Sequence, residues 1–438
     1  MNSNDKVPAP PRKTPFKRLT ASLLLGEFGL YLAWLTPVQL LLTLKLAEIA
    51  PKTMATDFGV ISGIGALFSM LGSPVGGALS DRTKLKFGRR RTWIVIGIVF
   101  GSASLIGIGL TRSVLTMGIL WCVTQLFFSF ACAAYSALLP EQVDESKRGS
   151  ISGFMGLLVP FGPVFGMAIV SVMGAAPLWS KFVAIVFVGI VTTVVSVVML
   201  IDESTPFAQK RKEKRSYVKF GERVSRIYPS PRKYPIYTWG VLTKFFQALC
   251  SAATCYNSVM LMERFHYDAQ QTASNATMVS MIMMLFLAVS AVGGGIISDK
   301  VRKQKPFVFA SAVICGIALA LIAFAPTFTF VIVGMACIGF GTGMYSAVDA
   351  ALMARILPVK EDYAKDLGIA NALGSATQSI VPLIAPGLIS LGGWPVLYGV
   401  LAVAGAVSAA CVVPIPEMSP KTLPADEAET AGEVSAQR

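Results

Sequence analysis

The sequence predicts an all-α membrane protein, with twelve transmembrane helices in two pseudo-symmetric six-helix bundles. Three observations lead there. Of 438 residues 54% are hydrophobic and only 14% charged, with a mean hydropathy of +0.64; a soluble domain carries about 25% charged residues. Apolar runs follow one another along the chain with short polar breaks. A motif from the first half returns in the second at a fixed offset.

A spanning helix needs about 20 mostly apolar residues. On that criterion spans 1–6 fall at 19–45, 57–79, 92–110, 114–139, 150–175 and 181–201, and spans 7–12 at 236–261, 273–297, 306–325, 327–354, 367–390 and 393–414. The expected organisation is an N-tail 1–18, a first bundle 19–201, a linker 202–235, a second bundle 236–414 and a C-tail 415–438. An even number of spans places both tails on one side. That side, with its loops, holds 32 Lys and Arg, against five (Lys45, Lys52, Arg112, Lys181, Arg264) on the other. The positive-inside rule then puts both termini in the cytoplasm. The first apolar run is too long for a signal h-region and is read as span 1. Short loops point to a bacterial plasma membrane. The basic run Lys210–Arg215 in the linker reads as a solvated segment against anionic headgroups, and the tail after Met418 as disordered.

The repeat gives the two-bundle expectation independently of hydropathy. Gly77-Ala78-Leu79-Ser80-Asp81-Arg82 after span 2 returns 218 residues later as Gly295-Ile296-Ile297-Ser298-Asp299-Lys300. At the same offset Pro140 matches Pro358, and Gly149 has a counterpart in Gly368, one residue out of register. Two related halves around a central site form a transporter architecture.

Several function classes are disfavoured. The net charge of +14 is spread over loops and tails rather than along one basic face, so nucleic acid is not an expected partner. The seven cysteines all lie in apolar runs without metal-ligand spacing and read as small buried hydrophobes. A single histidine, His266, lies in a loop. No nucleophile–base set, metal motif or phosphate loop occurs. Neither an enzyme nor a cofactor is expected, and an ion gradient is the expected energy source.

One loop points to a family. Gly77-x-x-Ser80-Asp81-Arg82 runs on to Phe87-Gly88-Arg89-Arg90-Arg91, which resembles the loop between spans 2 and 3 of the major facilitator superfamily. In that family the loop is a latch that holds one access state. Glycine permits close helix approach, and Asp81 at a helix end is expected to accept from a neighbouring helix N-terminus. The resemblance makes Gly77, Asp81, Arg82, Gly88, Arg89, Arg90 and the repeat's Asp299 the gating residues. A narrower resemblance adds Pro74 to that motif, with Gly26-Glu27-Phe28-Gly29 and Leu35-Thr36-Pro37 in span 1 and Gly162-Pro163-Val164-Phe165-Gly166 in span 5. Together these are similar to the sucrose and glycoside proton-symporter branch. The chain departs from it in span 4, where Gln125 stands in place of the branch's membrane-embedded Asp. Glutamine carries no titrating proton, so the branch's coupling scheme does not transfer directly.

Charges inside spans are costly and face a polar passage. Glu27 in span 1, Lys244 in span 7 and Asp349 in span 10 are the informative ones, and the resemblance implies that spans 1, 4, 7 and 10 line the cavity. Lys244 is expected to pair with Asp349, leaving Glu27 as the proton-coupling group. A carboxylate in low dielectric is cheaper protonated than charged, which suits reversible protonation. The alternative is that all three form a buried stabilising network. A sugar needs hydrogen-bonding groups beside an aromatic platform. Candidates are Tyr31, Trp34 and Gln39 in span 1, Gln125 in span 4, Gln247, Tyr256 and Asn257 in span 7, Tyr345 in span 10, and Asn371 and Gln378 in span 11.

The resulting expectation is a monomeric, membrane-embedded transporter that imports a small molecule, a glycoside or oligosaccharide, with protons. Proton-driven efflux of drugs or metabolites is the alternative, on Gly162-Pro163-x-x-Gly166 and the methionines of span 8 (Met278, Met281, Met283, Met284). A transporter-like sensor without coupled flux is the third possibility.

Overall fold

The computed structural model describes residues 14–83, 85, 87–143, 145–202, 231–232, 234–301, 303–356 and 363–417. Expectations for the tail before Thr14, for Lys210–Arg215, for Pro358 and for the tail after Met418 lie outside these residues, as does the Asp299 side chain. Among the described residues the chain is helical nearly throughout, without strands. In hydrocarbon every backbone N–H and C=O needs an internal partner, and a helix supplies one within the segment.

Helix α1 (Phe16–Thr36) continues through a π-helical turn, Pro37–Leu41, into α2 (Leu42–Ile49). There follow α3 (Met54–Arg82), α4 (Arg89–Leu110), α5 (Val114–Gln142), α6 (Glu145–Val172) and α7 (Leu178–Met199). In the second half α8 (Pro235–Ala252) passes through a 3-10 turn, Ala253–Tyr256, into α9 (Asn257–Glu263). Then come α10 (Ala269–Val301), α11 (Lys305–Ala323), α12 (Phe328–Ile356) and α13 (Tyr363–Val412).

Ten of these stretches are long and apolar enough to cross a membrane. Helix α13 holds two spans, because its backbone leaves helical geometry at Gly392 and at Gly393, whose φ of +71° suits glycine. The broken α8–α9 segment is the remaining one, so the architecture is consistent with twelve spans. The outward stripe of α7 is Val183, Phe187, Val191, Val194 and Val198, all exposed, as a lipid solvent requires.

The chain divides into two compact units. The first holds the described part of Met1–Tyr217 with Cys255–Met278 and Gln378–Pro386; the second holds the remainder. The sequence-level cut at the linker thus differs from the packing in two pieces, because α9 and a segment of α13 pack with the first half. Within that unit the Tyr256 hydroxyl donates to the carbonyls of Ala55 (3.3 Å) and Pro382 (3.2 Å). Ser258 Oγ donates to the Gln39 carbonyl in the π-turn. The second unit has its own core, built from Tyr237, Val241, Val308, Val348, Met353 and their neighbours.

Helices gain little by leaving lipid for one another, so close packing by small residues has to hold them. In the first unit glycines do this around α1. A Cβ on Gly26 would strike Tyr135, and one on Gly29 would strike Thr192. From α6, a Cβ on Gly162 would lie 2.8 Å from the Leu32 backbone nitrogen, and one on Gly166 would strike Thr36. Polar ties complete the grip: Ser22 Oγ donates to the Ser196 carbonyl at 2.8 Å and Tyr135 Oη to Ser196 Oγ at 3.0 Å.

Gly162→Val drives a branched side chain into the α1 backbone, which has no rotamer to yield. We expect an overpacking cost of about 1–3 kcal/mol and a lower melting temperature in detergent. Gly156→Ala in the same helix, where a Cβ meets nothing within 4 Å, should leave the temperature unchanged or raise it. Equal melting temperatures for the two variants would mean that this seam is not tight.

Candidate functional site

The clamp around α1 fixes a polar cluster in the first unit. Glu27 is only 3% exposed, and among the described residues no ion pair includes it. One helical turn on, Tyr31 lies against α5, its hydroxyl 3.7 Å from Cys132 Sγ. Tyr31 and Trp34 form a parallel pair, with centroids 6.3 Å apart and planes 2° from parallel. The Trp34 indole N–H donates to Gln125 Oε1, and its ring meets Phe128 edge-on at 6.4 Å. The structure therefore brings Glu27, Tyr31, Trp34 and Gln125 together along the α1–α5 seam. Cys132, which sequence reasoning assigned to packing, is part of the same cluster.

Gln39, Tyr256 and Asn257 form a separate group in that unit. Tyr256 is fully buried, and its hydroxyl is committed to two backbone carbonyls. A Cβ on Gly59 of α3 would lie 2.5 Å from one of those carbonyls, that of Pro382. Tyr256 is expected as a substrate contact from the sequence; here its hydroxyl is taken up by these backbone carbonyls. Asn257 is 7% exposed, and its Oδ1 is buried without a partner among the described residues. Gln378, on the α13 segment of this unit, is exposed.

In the second unit Lys244 Nζ lies 2.6 Å from Asp349 Oδ2. The other carboxylate oxygen accepts from Tyr345 Oη at 2.7 Å, from one turn earlier on α12. Both charges are largely enclosed, with side-chain exposures of 14% and 19%. A cation, an anion and a phenol thus satisfy one another. Gln247, one turn past Lys244, donates to Cys315 Sγ at 3.4 Å and leaves its Oε1 buried without a partner among the described residues. Asn371 is exposed on α13. Lys244, Tyr345, Asp349 and Gln247 therefore share one region of this unit, while Asn371 is not tied to them.

The charged turn between α3 and α4 is built around Arg90. Its guanidinium lies 2.6 Å from Asp81 Oδ1, also pairs with Glu141, and donates to Ser80 Oγ. Arg89 reaches the same Glu141 at 2.8 Å. Arg82 is exposed in the last turn of α3. Two expectations need correction. Asp81 pairs with Arg90, and Asp202 is the carboxylate that caps a helix N-terminus: its Oδ2 accepts from the backbone N–H groups of Arg90 (2.7 Å) and Arg91 (3.0 Å). Four orphan N–H groups and the positive end of the helix dipole make that position attractive to an anion. Gly88 fits beneath it at φ +107°, where a Cβ would lie 2.6 Å from Asp202 Oδ2. Gly77, expected to give the close approach, has nothing within 4 Å of a Cβ; Gly72 and Gly76 meet Ser129 and Phe130 of α5 instead. Glu141 and Asp202 were missed, although each is the first acid after an apolar run, which is a legible signal.

The family model of the Major Facilitator Superfamily matches residues 23–358 and again 260–437. Among curated proteins none matches the chain. Solved structures share its fold. The D-xylose–proton symporter is 17% identical, with a TM-score of 0.68 over 92% of this chain and 99% of that one. The nucleoside transporter NupG is 11% identical, with a TM-score of 0.70 over 91% and 99%. The xylose transporter XylE from E. coli, in a partially occluded inward-open conformation, is 15% identical, with a TM-score of 0.68 over 93% and 99%. A family match along most of the sequence, on a fold of apolar spanning helices, leads to one conclusion: this chain belongs to the Major Facilitator Superfamily and is a multi-pass membrane transporter of a small molecule.

Proposed function

We propose that the protein is a proton-coupled importer of a glycoside or related sugar, working by alternating access in a bacterial plasma membrane with both termini cytoplasmic. The observation that carries this reading is the contrast between its buried charges. Lys244 and Asp349 neutralise each other, whereas Glu27 is enclosed without a described counter-charge. A carboxylate so placed is the group whose protonation changes the electrostatics most. It stands one turn from Tyr31 and two from Trp34, whose rings offer an apolar face, and Gln125 beside them offers an amide. Sugar rings present both kinds of surface. The symporter named for xylose and protons among the structures of like fold supports the same substrate class, and the glycoside-branch pattern around Glu27 narrows it.

Coupling in this scheme lies with Glu27, because Gln125 bears no titrating proton. Protonation removes a charge beside the aromatic pair, so substrate and proton occupy one neighbourhood and move together. The Arg90 cluster is the latch. Its charges are held by Asp81 and Glu141, Asp202 caps the helix that carries them, and loosening these contacts changes which access state is favoured.

Reconstitution in proteoliposomes under an imposed pH gradient, with panels of glycosides and hydrophobic cations, tests the class. Gradient-driven glycoside uptake is expected; expulsion of the cations would establish the efflux alternative instead. With one proton per substrate, a gradient of about one pH unit supports about tenfold accumulation, since each 1.4 kcal/mol is a factor of ten. Glu27→Gln should reduce that accumulation to about the external level while substrate exchange across the membrane continues. Full accumulation by this variant would remove Glu27 from the coupling role.

Lys244→Gln or Asp349→Asn alone strands a buried charge at a cost of about 3–5 kcal/mol. The double substitution should recover most of the lost melting temperature, and additive losses would refute the pairing as a neutralising unit. At the latch, Arg90→Gln removes the partner shared by Asp81 and Glu141. It should lower the melting temperature and shift cysteine accessibility between the two membrane faces, whereas Arg82→Gln at an exposed position should change neither.

A further inference from the structure

The α3–α5 pair carries a groove that neither the proposed substrate site nor the latch uses. Its cavity is about 650 Å³ and runs along both helices from their first turns. On α3 it follows Asp57, Val60, Ile64 and Phe68; on α5 it runs from Val114 past Leu115 and Ile119 to Leu126. All lining residues except Asp57 are apolar or small. Val60, Ile64, Phe68, Leu115 and Ile119 are 39–74% exposed, so the groove is open along its length rather than closed over by side chains. Gly118 forms part of its floor, and the half-buried Cys122 lines it further along.

The dimensions select an occupant. From Asp57 to Phe68 the α3 wall rises roughly 17 Å, and from Val114 to Leu126 the α5 wall rises roughly 18 Å, at about 1.5 Å per residue. One leaflet of a hydrocarbon core about 30 Å thick is roughly 15 Å deep. The groove therefore begins at the membrane surface and ends near the midplane, which is the reach of a single acyl chain. Its mouth is polar. Asp57 is held by Thr53 Oγ1 at 2.6 Å. Lys52 and Arg112, just ahead of the two helices, are exposed and have no ion-pair partner among the described residues. They are two of only five cations on a side otherwise poor in Lys and Arg.

We propose that this groove is a binding site for one acyl chain of a membrane phospholipid, whose phosphate lies at the level of Lys52 and Arg112. The chain fills a furrow that the small Gly118 leaves between two helices, and so exchanges more slowly than lipid lying on a flat helix face. An acyl chain needs only apolar walls, and the two cations add attraction for the phosphate.

The test uses the full-length protein in proteoliposomes doped with a phospholipid carrying a photoactivatable diazirine in its acyl chain, followed by peptide mass spectrometry. Labelling along 60–68 and 114–126 is compared with labelling along the exposed α7 stripe Val183–Val198, a lipid-facing surface without a groove. A several-fold excess in the groove is expected. Gly118→Leu and, independently, Cys122→Phe should each bring groove labelling down to the α7 level with α7 unchanged; the second variant covers the case in which the first does not fold. Lys52→Gln with Arg112→Gln should lower the excess more with anionic than with zwitterionic probe. Equal labelling of groove and stripe in the unmodified protein would overturn the proposal, as would an excess that survives both filling variants. A groove closed to lipid because another helix or a second copy covers it would show labelling below that of α7, and would overturn it as well. None of these readouts depends on transport.

Discussion

The clamp on α1 is the constraint from which the first unit's polar chemistry follows. In lipid, apolar side chains gain nothing by moving from acyl tails to another helix, so contact distance becomes the main source of adhesion. Gly26 and Gly29 bring α5 and α7 against α1, and Gly162 and Gly166 bring α6 against it. Between those surfaces only a few orientations of α1 fit. The one adopted carries Glu27, Tyr31 and Trp34 along α5, where Gln125 and Cys132 meet them. These glycines therefore decide where the polar cluster sits.

The charges are handled in three ways. At the turn before α4, acids and arginines compensate one another, and Asp202 also uses the backbone N–H groups of α4. Inside the second unit, Lys244 and Asp349 offset each other's desolvation, with Tyr345 taking the remaining oxygen. Glu27 has neither arrangement among the described residues. Low dielectric favours a structure in which each buried charge is either matched or able to become neutral. That asymmetry places the proposed proton site at one carboxylate rather than across three.

Backbone irregularity also falls near the polar groups. The π-turn at Pro37–Leu41 and the 3-10 turn at Ala253–Tyr256 interrupt spans that would otherwise run straight, and Ser258 joins them through the Gln39 carbonyl. Such interruptions leave carbonyls with an altered set of partners, and bulges of this kind recur at functional sites. Here they consume Tyr256, whose hydroxyl serves backbone carbonyls.

Much of the architecture was legible in the residues alone. Span number follows from the length of apolar runs, because bilayer thickness sets a fixed ruler. The repeat of Gly-x-x-Ser-Asp separated two halves, and the rarity of charge inside spans singled out Glu27, Lys244 and Asp349. Which partner each group takes was not legible. Gly77 and Gly76 are neighbours in sequence, yet only Gly76 faces α5, because one residue turns a helix by about 100°. Asp81 and Asp202 are both acids at span ends, and only the fold brings the second against the N–H groups of Arg90 and Arg91. The sequence by itself determined the solvent, the helical state and the few groups costly enough to need a role. The tertiary structure decided the pairings, since ion pairs and close glycine contacts join segments up to 105 and 327 residues apart, and no local pattern records which faces meet.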